Sequence, residues 1–420
     1  MFKRLRSIFY KEYVDLTQEI EPKRFYTTFY FWLKAFCVID DEPIPNWAYI
    51  TVAFLRACYS LAVLLALIST SYGIHSFDLY HITDCGSYVI ILSYGLEINL
   101  QATIDKKHIY YLQQCIREDF AYVHHEGRKY REQFIGKIIE TWQLQIISIV
   151  VIFVSSITMA IFTLFVLMWY LWTYQEGDVW QRPLPIPFWL FTVDFHASPL
   201  YEFTFSFIIM MTVLFPYNYI FMLQTEVTWI REITLKADLV IWALCDLLTD
   251  IDPNYSEEDT SMLLKDRMKG IIIQHQSMFR LIHTFALVYR KNLLFEQKFI
   301  GPLVCLSAFC FFEKLEHGEV QVFLMLLGLT AVFLVFLPCW LCTYLDGKNK
   351  SIIDACLNIP FWNVKGKILR PYLVLMMQMS LKPLPLTRAG FEEISIQTFS
   401  AKMASAYSYF NLLRQSNISI

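Results

Sequence analysis

The segment SAKMASAYSYFNLLRQ, residues 400–415, is an apolar, aromatic-rich helix pattern close to the end of a long hydrophobic chain. A stretch of this composition is suited to a membrane interior rather than to a polar tail. We therefore expect the last helix to be inserted in the membrane and to have a working role.

The composition of the 420-residue chain is that of a multi-span membrane protein. Hydrophobic residues make up 56% of it and charged residues only 17%, whereas soluble domains have about 25% charged residues. The formal net charge of −3 leaves no large basic surface, so nucleic-acid binding is not expected. The ten cysteines are scattered, mostly in apolar segments, where cysteine acts as a small hydrophobic residue.

Seven stretches are candidate membrane spans, because a spanning helix needs about 20 mostly apolar residues. An eighth apolar stretch, 368–381, is too short to span and is followed by the helix-breaking run Lys382-Pro383-Leu384-Pro385. We predict a half-length helix outside the bilayer there. The predicted spans are 47–74, 77–100, 142–174, 200–223, 292–312, 320–344 and 398–413.

The distribution of Lys and Arg predicts the orientation. Basic residues cluster before the first span and in every second loop after it, whereas only Arg182 lies between the third and fourth spans. The positive-inside rule therefore places the N-terminus in the cytosol, and an odd number of spans places the C-terminus outside. The segment 225–294 has helical patterns that would extend below the membrane, and the proline-rich segment 175–199 is expected to form a short ordered lid outside.

The expected fold class is an all-α membrane protein with seven transmembrane helices, a cytosolic N-terminus and an extracellular C-terminus. Helical extensions are expected to form a cytosolic anchor domain. The predicted divisions are a cytosolic N-terminal helical segment at 1–46, a six-helix transmembrane region at 47–345 with a cytosolic extension near 226–294, an anchor segment with the half-length helix at 346–395, and the seventh helix with the extracellular end at 396–420.

Motifs near the C-terminus resemble those of insect odorant receptors. Ala406-Tyr407-Ser408-Tyr409-Phe410 resembles the Ser-Tyr-Ser-Tyr-Phe signature of that family. Tyr409 and Gln415 also match the Tyr…Gln spacing of the related gustatory receptors. The arrangement of spans is similar to that of the family over the whole chain, whereas the matching motifs lie only in residues 345–415. The preceding block that looks like the family's comprises Asp354-Ala355-Cys356-Leu357-Asn358, Trp362, Leu375-Met376-Met377, Lys382-Pro383 and Ala389-Gly390.

The resemblance implies a ligand-gated, non-selective cation channel in the plasma membrane of olfactory sensory neurons. Four subunits would surround one central pore, lined by the last helix of each and bordered outside by membrane lipid. A tuning subunit binds a small volatile odorant and assembles with the odorant receptor co-receptor as a hetero-tetramer. The co-receptor has an insertion between spans four and five; this chain lacks that bulk and so resembles a tuning subunit.

The resemblance also places a hydrophobic gate on Leu412 and a polar ring on Gln415. With Ser408 and Asn411, these residues share one helix face at i, i+3 and i+4 spacing. A bulky apolar ring in a polar stripe is typical of a dewetting gate, and ordinary helix packing is the alternative. Arg414 stands where the family has an apolar residue; unless it is paired or turned outward, it would repel cations. We therefore expect poor conduction without the co-receptor.

The family's ligand pocket lies in the outer half of the bundle, among spans two, three, four and six. Such a pocket is mostly apolar with a few polar groups, and Met adapts its shape to varied ligands. Helix packing and an interfacial aromatic belt are the alternative roles of the same side chains. The candidate ligand-binding residues are Tyr80, Asp84, Tyr88, Phe162, Phe165, Trp169, Phe203, Phe207, Met210, Met211 and Phe323.

Arg56 lies inside the first predicted span and Glu97 inside the second. A lone charge in the hydrocarbon core is costly, by about 2.5–3.5 kcal/mol on insertion scales. The sequence leaves two arrangements open: an inter-helix pair between them, or separate contacts of each side chain with the membrane surface.

Other functional classes find less support. The sequence has no Gly-rich phosphate loop, metal-ligand spacing or nucleophile motif, so we expect neither an enzyme nor a cofactor. A gustatory receptor channel is the nearest alternative. A G-protein-coupled receptor is opposed by the charge asymmetry, and a secondary transporter by the lack of a visible internal repeat.

Overall fold

The computed structural model describes most of the chain as helix, and two short strands pair near the C-terminal helix. The helices are α1 (Pro22–Phe25), α2 (Thr27–Ala35), α3 (Asn46–Ser76), α4 (Leu79–Ile104), α5 (Lys106–His125), α6 (Arg128–Thr173), α7 (Leu200–Cys245), α8 (Glu257–Glu316), α9 (Val322–Leu357), α10 (Val364–Ser380) and α11 (Ile396–Ile418), and the strands are β1 (Thr387–Arg388) and β2 (Glu392–Glu393). The residues described are 21–39, 43–173, 182–191, 193–249, 251, 256–316, 318, 322–360, 364–385, 387–388 and 392–418.

Helices α3 and α4 form a hairpin with a sharp turn at Phe77-Asp78. Phe77 ends α3 in a left-handed conformation with φ of 54°. The Asp78 carboxylate accepts a hydrogen bond from the backbone N–H of His81 at 3.0 Å and so caps α4. The predicted break between segments 47–74 and 77–100 is confirmed.

Helix α7 is the centre of the molecule. Residues 218–240 are all buried, without the alternation of exposed and buried faces that a surface helix shows. Helices α2, α4, α5, α6, α8 and α9 all contact α7. The predicted span 200–223 is therefore only the first half of a longer helix, and the second half is the core around which the other helix ends pack.

Four of the described helices, α3, α6, α7 and α9, are long and apolar enough to cross a membrane. Helix α6 shows why: Phe153, Ile157, Ile161 and Leu164 form an exposed stripe at helical spacing. An apolar stripe of this length requires a lipid environment or a partner. The other three predicted spans lie in α4, α8 and α11, which are long but less apolar, and the seven-span count stays a prediction.

The helix ends beyond the predicted spans form what we call the polar base: α1, α2, α5 and α10 with the adjoining ends of α6, α7, α8 and α9. Lys236 Nζ lies 2.7 Å from Asp119 Oδ1, and both side chains are 1% exposed. The Tyr26 hydroxyl donates to Glu232 Oε2 at 3.3 Å. Buried charges persist in proteins when they are paired in this way. Further ion pairs in the base are Arg231–Glu140 at 3.1 Å and Lys348–Asp238 at 2.7 Å.

Replacement of His275 by glutamine is expected to make the base less sensitive to acid. His275 is buried, its Nε2 lies 3.2 Å from Ser380 Oγ, and burial lowers its pKa to about 4. In the unfolded chain the histidine pKa is about 6.5, so the unfolded chain takes up the proton at a higher pH than the folded protein does. The free energy of unfolding is therefore unaffected by this group above about pH 6.5 and decreases as the pH falls from 6.5 towards 4. Between pH 7 and 5 the wild type should lose on the order of 2 kcal/mol through this group.

Unfolding curves of the purified protein at the two pH values measure this loss. The exposed His283 provides the control: the variant His283→Gln should keep the full pH-dependent loss. An unchanged loss in His275→Gln would contradict the assignment to His275.

Arg56 and Glu97 do not form the pair that was one of the two expectations. Arg56 Nε donates to Asn99 Oδ1 at 3.0 Å, and its Nη2 donates to Thr103 Oγ1 at 2.9 Å. Glu97 lies on another side of α4, beside Asn292 of α8. The pairing was wrong because depth in the membrane does not determine the rotation of a helix about its axis.

The predicted half-length helix at 368–381 corresponds to α10, which begins a little earlier and ends before Lys382-Pro383. After it, β1 and β2 pair antiparallel, with Thr387 opposite Glu393 and Arg388 opposite Glu392. This strand pair was not predicted, because two residues are too few to show a strand period.

Candidate ligand-binding site

A small cavity of about 40 Å³ lies among α4, α6, α7, α9 and the segment before α7. Its volume is well below the range of about 300–1,000 Å³ that is usual for ligand pockets, so its walls would have to move apart to admit a ligand. Its walls are almost entirely apolar, with one phenol and one threonine among them. The lining residues are Tyr88, Ile91, Leu92, Met159, Ile186, Ile208, Met211, Thr212, Phe215, Phe323 and Leu327.

Helical periodicity brings these side chains together. Along α7, Ile208, Met211, Thr212 and Phe215 recur at intervals of three and four residues and so share one face. The same spacing relates the lining residues of α4 to one another, and those of α9. The cavity therefore lies where one face from each of several packed helices meets.

Residues 182–191, which we call the lid, close one side of the cavity. Ile186 is 6% exposed and lines the cavity. The Tyr88 hydroxyl donates to the Pro185 carbonyl at 2.9 Å, and the Tyr201 hydroxyl donates to the Pro183 carbonyl at 3.0 Å. Prolines lack an N–H but keep a carbonyl acceptor, and the neighbouring tyrosines use it here.

The two polar side chains of the wall already use their hydroxyl protons. Tyr88 donates to the lid, and the Thr212 hydroxyl donates to the Ile208 carbonyl at 2.9 Å. Buried hydroxyl groups require such partners. The wall thus offers a ligand mainly shape and apolar contact.

The structure brings three of the predicted ligand residues to the cavity: Tyr88, Met211 and Phe323. The side chain of Tyr80 lies outside the described part of the chain. Phe203 and Trp169, exposed to 73% and 52%, face away from the bundle. The roles of all of these residues in binding stay predictions. Of the others, Asp84 is buried outside the lining, Phe165 is exposed, and Phe162, Phe207 and Met210 are half-buried outside the lining.

Most of the lining residues that the sequence reasoning missed are aliphatic. Ile91 and Leu92 follow Tyr88 at three and four residues, and Ile208 and Phe215 flank Met211 in the same way. They could be found by counting three and four residues along the helix from a residue that does line the cavity, such as Tyr88 or Met211. The sequence pattern instead favours aromatic residues, and several of those lie on the outward faces.

The last helix, α11, turns one face towards α8 and α9 and leaves another exposed. Ala406 is buried, and the Phe410 ring lies 5.5 Å from that of Phe312. On the other side Ser408, Leu412 and Gln415 are exposed, and Leu412 is 64% exposed. The fourth predicted pore residue, Asn411, is half-buried.

Arg414 near the end of α11 has a partner in the same chain. Its Nη2 lies 2.7 Å from Glu316 Oε1 at the end of α8. Of the two ways in which the charge of Arg414 could be relieved, the structure therefore contains the ion pair. Both side chains are about half exposed, so the pair is a weak, salt-sensitive contact.

The chain matches one protein-family model, and its fold is similar to that of two solved structures. The family model described as 7tm Odorant receptor matches residues 107–407. The solved structure of the insect olfactory receptor OR5 from Machilis hrabei has a TM-score of 0.63 at 13% sequence identity, over 93% of this chain and 99% of that chain. The structure of the same receptor in complex with eugenol has a TM-score of 0.66 at 11% identity, over 94% and 98%. No curated protein matches the sequence. At these identities the two structures show a shared fold.

Proposed function

The chain belongs to the 7tm odorant receptor family, and we propose that it is the odorant-sensing subunit of a ligand-gated, non-selective cation channel. The observation that carries the proposal is the apolar cavity of about 40 Å³ beneath the lid. The composition of its walls suits a small volatile ligand, for which the walls would move apart. One of the solved structures with this fold is a complex with eugenol, which supports a ligand of similar size here.

We assign the pore to α11. Four copies of the face that contains Ser408, Asn411, Leu412 and Gln415, arranged about one axis, would form a polar pathway interrupted by a ring of leucines. Such a ring excludes water until it widens. The ion pair of Arg414 with Glu316 reduces the net charge at the outer end, so Arg414 would repel cations less than the sequence alone suggests.

The remaining parts of the proposal rest on the sequence, through its hydropathy, its charge distribution and its family resemblance. They are a cytosolic N-terminus, seven spans, a hetero-tetramer with the odorant receptor co-receptor, and a place in the plasma membrane of olfactory sensory neurons. The match of residues 107–407 to the odorant receptor family favours this function over a gustatory receptor channel.

Replacement of Met211 by tryptophan is expected to abolish most of the odorant response. Met211 is buried in the cavity wall, and a larger ring there would occupy ligand space. We expect at least about a tenfold loss of odorant affinity, which corresponds to about 1.4 kcal/mol. Currents evoked by a panel of volatile alcohols, ketones, esters and phenols in oocytes would measure this, at matched surface expression.

The neighbouring Met210 is the matched control, since it lies on the same helix outside the cavity lining. Met210→Trp should respond like the wild type. Equal losses in both variants would contradict this cavity as the ligand site. Recording with and without the co-receptor tests the partner: large currents from this chain alone would contradict the dependence on it.

A further inference from the structure

The lid is the wall of the cavity that can move with the least disruption. Ile186 lines the cavity from the lid, and the other lining residues belong to α4, α6, α7 and α9. Those helices are long and packed against one another, so separating them would break many contacts at once. The lid is held by individual hydrogen bonds and ring contacts, whereas the helices pack along their whole length, and local opening favours segments of the first kind.

Trp189 attaches the lid to the outer end of α3. Its backbone N–H donates to Ser69 Oγ at 2.7 Å, and its indole stacks on the Tyr72 ring at a centroid distance of 3.9 Å and an interplanar angle of 9°. His81 of α4 supports both contacts, because its Nε2 lies 3.1 Å from the Ser69 carbonyl oxygen and its ring meets Tyr72 edge-on. Trp189 therefore lies against a site on α3 that α4 supports through His81.

The lid is stiff between Trp189 and the cavity. Pro185 and Pro187 flank Ile186 and restrict the backbone on both sides of it. Movement of Trp189 away from its position would therefore pull on Ile186. Cys85 and Tyr88 of α4 donate to the Pro187 carbonyl at 3.4 Å and to the Pro185 carbonyl at 2.9 Å, and these hydrogen bonds would break as the lid moves.

We propose that Trp189 is a positioning residue for ligand retention: held by Tyr72 and Ser69, it keeps Ile186 in the cavity wall, and its release opens the path by which the ligand leaves. This inference rests on the proposed function in taking the cavity as the ligand site. It predicts that weakening the Trp189 contacts accelerates ligand loss without altering the pore.

The first experiment follows the lid without any odorant. Ile186→Cys is labelled on intact cells with a membrane-impermeant thiosulfonate reagent, in the presence and absence of Trp189→Ala. Labelling is expected to be about tenfold faster with Trp189→Ala, since each loss of about 1.4 kcal/mol raises the open population tenfold. The parent chain, whose cysteines are buried except for Cys245, provides the background. Trp172→Ala, which removes an exposed aromatic side chain outside the lid, should leave the rate unchanged.

The second experiment measures the decay of the odorant-evoked current after washout, using the strongest activator from the panel above. Trp189→Ala and Tyr72→Ala should each speed the decay about tenfold. The double variant should add little to either, and Trp189→Phe should stay near the wild type. If Trp189→Ala does not reach the cell surface, Tyr72→Ala replaces it as the test of the same contact.

Equal labelling rates with and without Trp189→Ala, or no labelling in either, would overturn the inference. So would an unchanged current decay in a chain that responds to odorant, and in that case the proposed function would stand. If the labelling rates differ but the chain responds to no odorant, with or without the co-receptor, the inference about the lid stands and the proposed function is wrong.

Discussion

Replacement of Lys236 by methionine is expected to destabilise the protein by about 3–5 kcal/mol and to prevent most of it from accumulating in folded form. The Lys236 ammonium lies 2.7 Å from Asp119 Oδ1 in the polar base, with both side chains 1% exposed. Its removal would leave the Asp119 carboxyl buried without its cation, next to the equally buried Glu232. Thermal unfolding and the monodisperse yield in detergent measure the effect.

Two further variants make this prediction specific to the buried pair. Asp119→Asn combined with Lys236→Met removes both charges and should recover part of the yield. Lys137→Met removes a lysine that is 30% exposed and paired with the half-exposed Glu140, and it should cost less than about 1 kcal/mol. Wild-type stability in Lys236→Met would show that the pair contributes little to the base.

Replacement of Leu412 by serine is expected to produce a large resting current without odorant. In the proposed pore, Leu412 is the bulky apolar residue in an otherwise polar stripe, and its side chain is 64% exposed in the single chain. A hydrophobic constriction closes by excluding water, and a hydroxyl at the same place would let water and ions enter. We expect at least about a tenfold rise in resting current, recorded with the co-receptor present.

The adjacent Leu413 gives a control of the same residue type. It is half-buried and packs against the core, so Leu413→Ser should lower stability and leave the resting current small. If both variants leak equally, or if Leu412→Ser is silent at normal surface expression, Leu412 is not the gate.

Some features of the fold could be predicted well from the sequence. The break at Phe77-Asp78 and the helix ending before Lys382-Pro383 were expected, because turn residues and proline act locally. The family assignment was also reached from a short local motif around Tyr407 and Tyr409, and the family match confirms it. Each of these inferences needed only neighbouring residues.

The candidate site was predicted less well. Met211 and Met210 are adjacent and chemically identical, yet only Met211 lines the cavity. Which of the two faces inward depends on the rotation of α7 against its neighbours, and no property of either residue reveals it. For the same reason the sequence left a pair between Arg56 and Glu97 open, whereas the structure gives Arg56 the partners Asn99 and Thr103.

The sequence by itself determined that the chain is a helical membrane protein of this family, since hydropathy, helix breaks and short motifs are properties of single segments. Only the tertiary structure decided which faces enclose the cavity, that Trp189 holds the lid on Tyr72, and that Lys236 is buried against Asp119. These depend on how several helices are rotated and packed together. Burial, and therefore the energy of each contact, is set by all the neighbours at once.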